Sequence, residues 1–147
     1  MKILVTGGAG YIGSHIVLSL CDNGYEVIVL DDLSTGSQDA IDERAKFILG
    51  STLSIEETKK SLNGVDTVIH MAAFKAAGES MLNPTKYSKN NIIGTINLIN
   101  SMIDQGVNTL IFSSTAAVYG IPEYLPLDEN HPLKPINYYG FTKLEIE

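Results

Sequence analysis

The chain has 147 residues, 44% of them hydrophobic and 18% charged, and a formal net charge of −7. That size and balance fit one ordinary globular domain, while an acidic chain with no basic block excludes a nucleic-acid surface. A lone cysteine, Cys21, excludes an internal disulfide and a cysteine metal cluster, and the apolar opening ILV is too short for a signal sequence or a membrane span; a soluble, reduced, cytoplasmic chain is expected.

The elements alternate along the chain. KILVT (2–6) is a short apolar run of strand type. Ile12, Ile16, Val17 and Leu20 recur at helical spacing from about Tyr11 to Asn23, and Gly24 stops the run. EVIVL (26–30) is a second strand, SQDAIDERA (37–45) a short helix or a loop, and KFIL (46–49) a third strand. SIEETKKSL (54–62) predicts a helix capped by Ser54, with acidic residues in its first turn and a stop near Gly64. DTVIH (66–70) is the fourth strand. Asn83-Pro84 opens a helix that carries Ile92, Ile96, Ile99 and Ile103 at helical spacing and stops at Gly106. NTLIFSS (108–114) is the fifth strand, the proline-rich 121–135 stretch a loop, and YYGFTKLEIE (138–147) the start of a last helix near Asn137. Alternating strands and helices with unbroken apolar strands predict an α/β fold: a doubly wound parallel sheet of Rossmann type. The last helix reaches Glu147 without a cap, with Phe141, Leu144 and Ile146 committed to a face, so a piece of a longer protein or a natural truncation is expected. Fold and domain are accordingly read as one dinucleotide-binding domain over 1–147, incomplete, with a C-terminal substrate domain absent.

Glycines crowd the first strand-to-helix turn. Gly8, Gly10 and Gly13 fit G-x-G-x-x-G, and Gly7, Gly10 and Gly13 fit the wider G-x-x-G-x-x-G. Such glycines turn the chain tightly, let backbone N–H groups approach a pyrophosphate, and let the helix pack on its strand. The alternative is a plain glycine turn; the correct strand before, the helix after and an acidic residue, Asp31, closing the second strand favour a dinucleotide. A carboxylate there accepts from ribose hydroxyls and repels a 2′-phosphate, and the nearest following cation is Arg44, so NAD is expected over NADP.

A second constellation stands late in the chain. Tyr139 and Lys143 are four apart and share a helix face, whereas Tyr138 and Lys143 do not. A free tyrosine has a pKa of about 10; a nearby ammonium lowers it and makes the phenol a usable base beside a nicotinamide. The alternative is an ordinary surface pair. At the end of the fifth strand Ser113, Ser114 and Thr115 offer hydroxyls, for capping or for a ligand, and Thr115 is favoured as the one that meets substrate and Tyr139.

TGGAGYIGSH, DDLSTG, VIHMAAFKAAGES, NNIIGT, SSTAAVYG and the Tyr139–Lys143 pair together resemble the extended short-chain dehydrogenase/reductase family, most of all its UDP-hexose 4-epimerases, from Met1 to Glu147. The resemblance implies NAD as cofactor, with Gly7, Gly10, Tyr11, Ile12 and Gly13 at the pyrophosphate and Asp31, Asp32, Leu33, Ser34, Thr35 and Gly36 around the adenosine ribose. It places Met71, Ala72, Ala73, Phe74 and Lys75 along the cofactor and Asn91 in contact with it from a helix. Thr115, Tyr139 and Lys143 become the catalytic trio, with Thr115 also touching substrate and Tyr139 and Lys143 also touching the cofactor. The family carries an acidic residue after the glycine that follows strand three, accepting from the adenine amino group; here Ser51 and Thr52 stand there, and a carboxylate becomes a neutral hydroxyl.

The implied reaction oxidises a UDP-sugar at its 4-hydroxyl to a 4-keto sugar and returns the hydride to the other face. Related 4,6-dehydratases need an acid and a base after the threonine, where Ala116 and Ala117 stand; a decarboxylase and a uronate epimerase are further alternatives. The rival from another class is a non-catalytic NAD-binding chain, because sugar recognition in the family comes from a C-terminal part. The chain as given is expected to bind NAD without turning over sugar. No metal is expected, His15, His70 and His131 having no ligand spacing. An open fifth-strand edge predicts either a homodimer or shielding by the C-terminal segment, and the 84–105 helix is a second candidate dimer surface.

Overall fold

The computed structural model describes residues 1–147, which fold as two compact units. The first comprises Met1–Ala73 and Gly94–Ser113, the second Phe74–Ile93 and Ser114–Glu147.

The first unit is a five-stranded, all-parallel sheet. Its strands are β1 (Lys2–Thr6), β2 (Glu26–Asp31), β3 (Lys46–Leu49), β4 (Thr67–His70) and β5 (Thr109–Phe112), in the order β3-β2-β1-β4-β5. The order reverses at β1, which pairs with β2 on one side and β4 on the other. The apolar strands serve two cores at once because successive side chains point to opposite faces. Leu4, Ile28, Leu30 and Val68 pack with Leu62 and with Leu98 and Met102 on one face. Ile3, Val5, Val27 and Val29 pack with Val17 and, at its margin, Ile16 and Leu20 on the other. The helices are α1 (Tyr11–Asp22), α2 (Ile55–Ser61) and α5 (Gly94–Gln105). Ser54 caps α2 as its position predicts, its hydroxyl accepting from the Glu57 N–H. The ambiguous 37–45 stretch holds one 3₁₀ turn, Gln38–Ala40.

The second unit is made of short pieces: α3 (Ala77–Leu82), α4 (Pro84–Tyr87), a π turn over Ser88–Ile93, a 3₁₀ turn over Ala116–Val118, and α6 (Tyr138–Leu144). Asn137 caps α6, its side chain accepting from the Gly140 N–H. The proline-rich loop closes around His131, which is 3% exposed. Its Nε2 accepts from the Glu123 N–H at 2.9 Å, its Nδ1 is hydrogen-bonded to the Pro132 carbonyl, and the rings of Tyr119 and Tyr124 flank it.

Three expectations change. The helix expected to run unbroken from Pro84 is α4, a π turn and then α5. On α5 the buried face is Gly94, Thr95, Leu98, Ser101 and Met102, whereas Ile96 and Ile103 are exposed and Ile99 half-buried. The helix carries two candidate stripes, and close approach to the segment between β3 and α2 selects the one with small residues: a Cβ added at Gly94 would stand 2.5 Å from the Thr52 hydroxyl. Ile12 is likewise exposed rather than part of the α1 core face.

Candidate functional site

In a parallel open sheet, ligands gather beyond the carboxyl ends of the strands, where the strand order reverses. In the first unit that position holds the glycine turn between β1 and α1. Its glycines have different reasons to be glycine. Gly7 has φ +71°, and a Cβ there would stand 2.6 Å from the Ala72 nitrogen. A Cβ at Gly13 would stand 2.1 Å from the Gly7 carbonyl oxygen, and one at Gly8 would meet Val29 at 2.8 Å. These three are required by the fold itself. Gly10 is not: its φ of −77° is open to any residue, and an added Cβ would find only the Gly7 carbonyl, at 3.4 Å. Gly10 is also the N-cap of α1, and no side chain caps that terminus. Tyr11 and Ile12, the first residues of α1, are exposed. The turn thus presents uncapped N–H groups at the positive end of a 12-residue helix, with an opening where a side chain could stand. That geometry fits a pyrophosphate.

Asp31, at the end of β2, is half-buried beside this turn. Its Oδ2 accepts from the Ala9 N–H at 3.0 Å and its Oδ1 from the Leu33 N–H at 2.8 Å. It therefore fixes the glycine turn from outside and holds Leu33 at φ 58°, a conformation bulky residues rarely adopt. Each oxygen retains acceptor capacity for a ribose hydroxyl. Asp32 accepts from the Ser34 N–H and shapes the next turn. Ser34 and Thr35 continue this loop to Gly36, where a Cβ would stand 2.6 Å from the Ala9 carbonyl oxygen. Arg44 is bound to Asp42 and Asp22, each at 2.7 Å. Its guanidinium holds the Asp42 carboxyl down at about 2, and both carboxylates raise the Arg44 pKa. That cation is committed, which leaves Asp31 unopposed.

After β3 the structure departs from expectation. Thr52 is buried, and its hydroxyl packs where α5 begins. Ser51 uses its hydroxyl to accept from the Leu53 N–H, and its own N–H donates to the Glu57 carboxylate at 2.9 Å. Met71, Ala72 and Ala73 follow β4, with the Met71 N–H on the Thr6 carbonyl. His70 is 1% exposed; its ring nitrogens bond the hydroxyls of Thr6 (2.6 Å) and Thr95 (2.8 Å), a structural tie as expected. His15 bonds the Tyr11 carbonyl.

The second unit holds the tyrosine helix. Tyr138 spends its hydroxyl on Ser88, at 2.7 Å. Tyr139 keeps its hydroxyl clear of such bonds, while its N–H donates to the buried Ser80 hydroxyl. Lys143, one turn on, is 4% exposed, and burial pulls its pKa down to about 8. Thr115 caps the 3₁₀ turn, its oxygen accepting from the Ala117 N–H at 3.2 Å, so its hydroxyl proton stays available. Gly140 brings α6 onto that turn: a Cβ there would stand 2.6 Å from the Ala117 carbonyl oxygen. Ser114 is hydrogen-bonded to Glu147. Asn91, inside the π turn, has its amide filled by protein partners. It accepts from the Phe74 and Asn90 N–H groups and donates to the Phe74 carbonyl and the Thr142 hydroxyl, all within 3.1 Å. It ties the Phe74 backbone to α6, a role its sequence position does not reveal. Lys75, the next residue, is exposed. Sequence reasoning missed Ser80, Asn91 as a tie, and Glu57; the Asn91–Thr142 and Ser80–Tyr139 partners stand more than fifty residues apart, and no local pattern marks them.

The model of the NAD dependent epimerase/dehydratase family matches residues 3–147. The UDP-glucose 4-epimerase of Lactobacillus helveticus is 48% identical over 149 residues, covering 100% of this chain and 45% of that protein. That of Bacillus subtilis is 46% identical, covering 100% of this chain and 46% of that protein. The solved UDP-glucose 4-epimerase of Brucella ovis in complex with NAD superposes with a TM-score of 0.95 at 40% identity, over 98% of this chain and 45% of that one. That of Bifidobacterium longum, in complex with NAD+ and UDP, gives 0.94 at 35% identity over 99% and 46%. The chain thus spans slightly under half the length of these relatives.

Proposed function

The chain belongs to the NAD dependent epimerase/dehydratase family, and from that premise we propose that it binds NAD and supplies the acid–base residues for 4-epimerisation of a UDP-hexose, interconverting UDP-glucose and UDP-galactose. The observation that carries the reading is Gly10, a glycine that the fold does not need, at an uncapped helix terminus beside a carboxylate suited to ribose. Bound NAD supplies a hydride acceptor for the sugar C4–H. Tyr139, as phenolate, takes the proton of the sugar 4-hydroxyl and later returns it. Lys143 favours the phenolate through its charge: with a pKa of about 8 it is still mostly protonated at neutral pH, and its burial strengthens the field it exerts. Thr115 donates its free hydroxyl proton to the same substrate oxygen. Gly7, Gly10, Tyr11, Ile12 and Gly13 hold the pyrophosphate; Asp31 to Gly36 hold the adenosine ribose; Met71 to Lys75 line the cofactor. We assign recognition of uridine and sugar to the part of the relatives' length that lies outside the match, slightly more than half of it.

A homodimer is part of the proposal, through the α5 face that leaves Ile96 and Ile103 exposed at 47% and 69%; sedimentation of the chain against an Ile96→Lys, Ile103→Lys variant checks it. No helix is long and apolar enough to cross a membrane, and a cytoplasmic location goes with these soluble substrates. The cofactor claim is tested by titrating the chain with NAD and with NADP: NAD binds, NADP does not, and Asp31→Ala abolishes the difference. The activity is tested by joining the chain to the remaining part of the Lactobacillus helveticus epimerase. The joined protein interconverts the two UDP-sugars, and Tyr139→Phe lowers the rate by at least about 100-fold, the usual contribution of a general base.

A further inference from the structure

Glu57 belongs to α2, outside every motif of the chain, yet its carboxylate lies at the carboxyl end of β3. Oε2 accepts from the Ser51 N–H at 2.9 Å, and a Cβ built on Gly50 would stand 2.7 Å from that oxygen. The side chain is half-buried, and Oε1 makes no hydrogen bond within the chain. The strand order gives this position meaning. Within the first unit, the pyrophosphate turn follows β1, the ribose carboxylate Asp31 ends β2, and β3 is next in line. The Gly50 N–H donates to the Asp31 carbonyl at 3.0 Å, so the two strand ends are adjacent, roughly 5 Å apart. A nucleotide whose phosphates sit over β1 and whose ribose sits over β2 carries its base to the end of β3. The only side chains available directly after Gly50 are neutral hydroxyls, and both are occupied: Ser51 with Leu53, Thr52 in the packing against Gly94.

We propose that Glu57, reaching over from α2, is the residue that reads the base, its Oε1 accepting from the exocyclic amino group of adenine. This rests on the proposal that the chain binds NAD. A carboxylate accepts and cannot donate, so Glu57 selects a 6-amino purine over a 6-oxo purine. The Ser51 N–H pins Oε2, and this fixes which way the group faces.

The test compares NAD with nicotinamide hypoxanthine dinucleotide, which carries a 6-oxo group and a protonated N1 in place of the 6-amino group and the bare N1, so that the donor at the 6-position is replaced by an acceptor. Calorimetric titration of the wild-type chain gives at least about tenfold tighter binding of NAD, the worth of one hydrogen bond to a charged group. Glu57→Ala removes the preference. Glu57→Gln, which keeps shape and keeps an acceptor for the Ser51 N–H, turns an N–H₂ toward the base and reverses the preference in favour of the 6-oxo nucleotide. Equal binding of the two nucleotides by wild type, or an unchanged preference in both variants, overturns the role of Glu57 while NAD binding stands. Failure of wild type to bind either nucleotide overturns both proposals.

Discussion

The two units are built on different physics. The first is held by apolar strands whose alternate residues feed two cores, Leu4 and Val68 on one face, Ile3 and Val5 on the other. Its positioning is steric: Gly7 and Gly13 are where backbone meets backbone. The second has almost no regular apolar core and is held by polar side chains that join separate segments, Asn91 to Phe74 and Thr142, Ser80 to Tyr139 and Ser88 to Tyr138, and by His131, which closes its own loop on Glu123. The contrast teaches where each kind of site tolerates change. The glycine turn should fail when a methyl group is added at Gly7 or Gly13, whereas the tyrosine helix should fail when a hydrogen bond is taken away.

The largest effect expected is at Gly13. Gly13→Ala puts a carbon 2.1 Å from the Gly7 carbonyl oxygen, and backbone on both sides prevents relief. The variant should lose cooperative melting altogether, a destabilisation above about 4 kcal/mol. A variant that melted within a few degrees of wild type would show that the turn is not sterically locked.

Next comes Asn91. Asn91→Ala strands the Phe74 N–H and carbonyl in a half-buried setting and frees the buried Thr142 hydroxyl. Several unsatisfied groups at about 1–3 kcal/mol each predict a loss of roughly 4 kcal/mol in denaturant unfolding. The loss should be accompanied by proteolytic sensitivity at 74–93 and around α6. Equal stability of the variant would mean that the second unit does not depend on this tie.

Lys143 works in the opposite sense. Its pKa falls from 10.5 to about 8 in the folded chain, so between those values the unfolded chain binds a proton that the native chain does not. Stability therefore rises with pH through that window, and below it the cost is complete, about 3 kcal/mol at 1.36 kcal/mol per unit. Lys143→Met should melt at higher temperature than wild type below pH 8, with the gap closing toward pH 10, and should remove the proposed catalysis. Measuring both melts across that range checks it; a variant less stable than wild type at pH 7 would contradict burial as the dominant effect.

The contrast also explains what the sequence could reveal. Strands β1 to β5, the Ser54 cap, the start of a last helix near Asn137 and the parallel sheet were all legible, because hydrophobic runs and helix-start residues are local signals. Four of the five strands were bounded to within a residue, whereas β5 keeps only Thr109–Phe112 of its expected 108–114 stretch. The breaking of the 84–105 helix was not legible, since a π turn depends on Asn91 reaching partners far along the chain. Nor was the inward face of α5, where Ile96 and Ile103 form a better apolar stripe than the small residues that pack. In the candidate site, Gly10, Asp31, Thr115, Tyr139 and Lys143 stood out by spacing, and Tyr139 gains over Tyr138 because Ser88 occupies the other phenol. Glu57 was invisible: its carboxylate reaches the end of β3 only because α2 folds back across it.

The measurement that bears most directly on the central claim pairs calorimetry with thermal melting for wild type and Gly10→Val. At Gly10 the fold leaves room, with φ −77° and a single neighbour at 3.4 Å, so the variant should melt close to wild type yet no longer bind NAD. A Gly10→Val chain that folds and binds NAD as wild type does would contradict the claim that this opening receives the pyrophosphate.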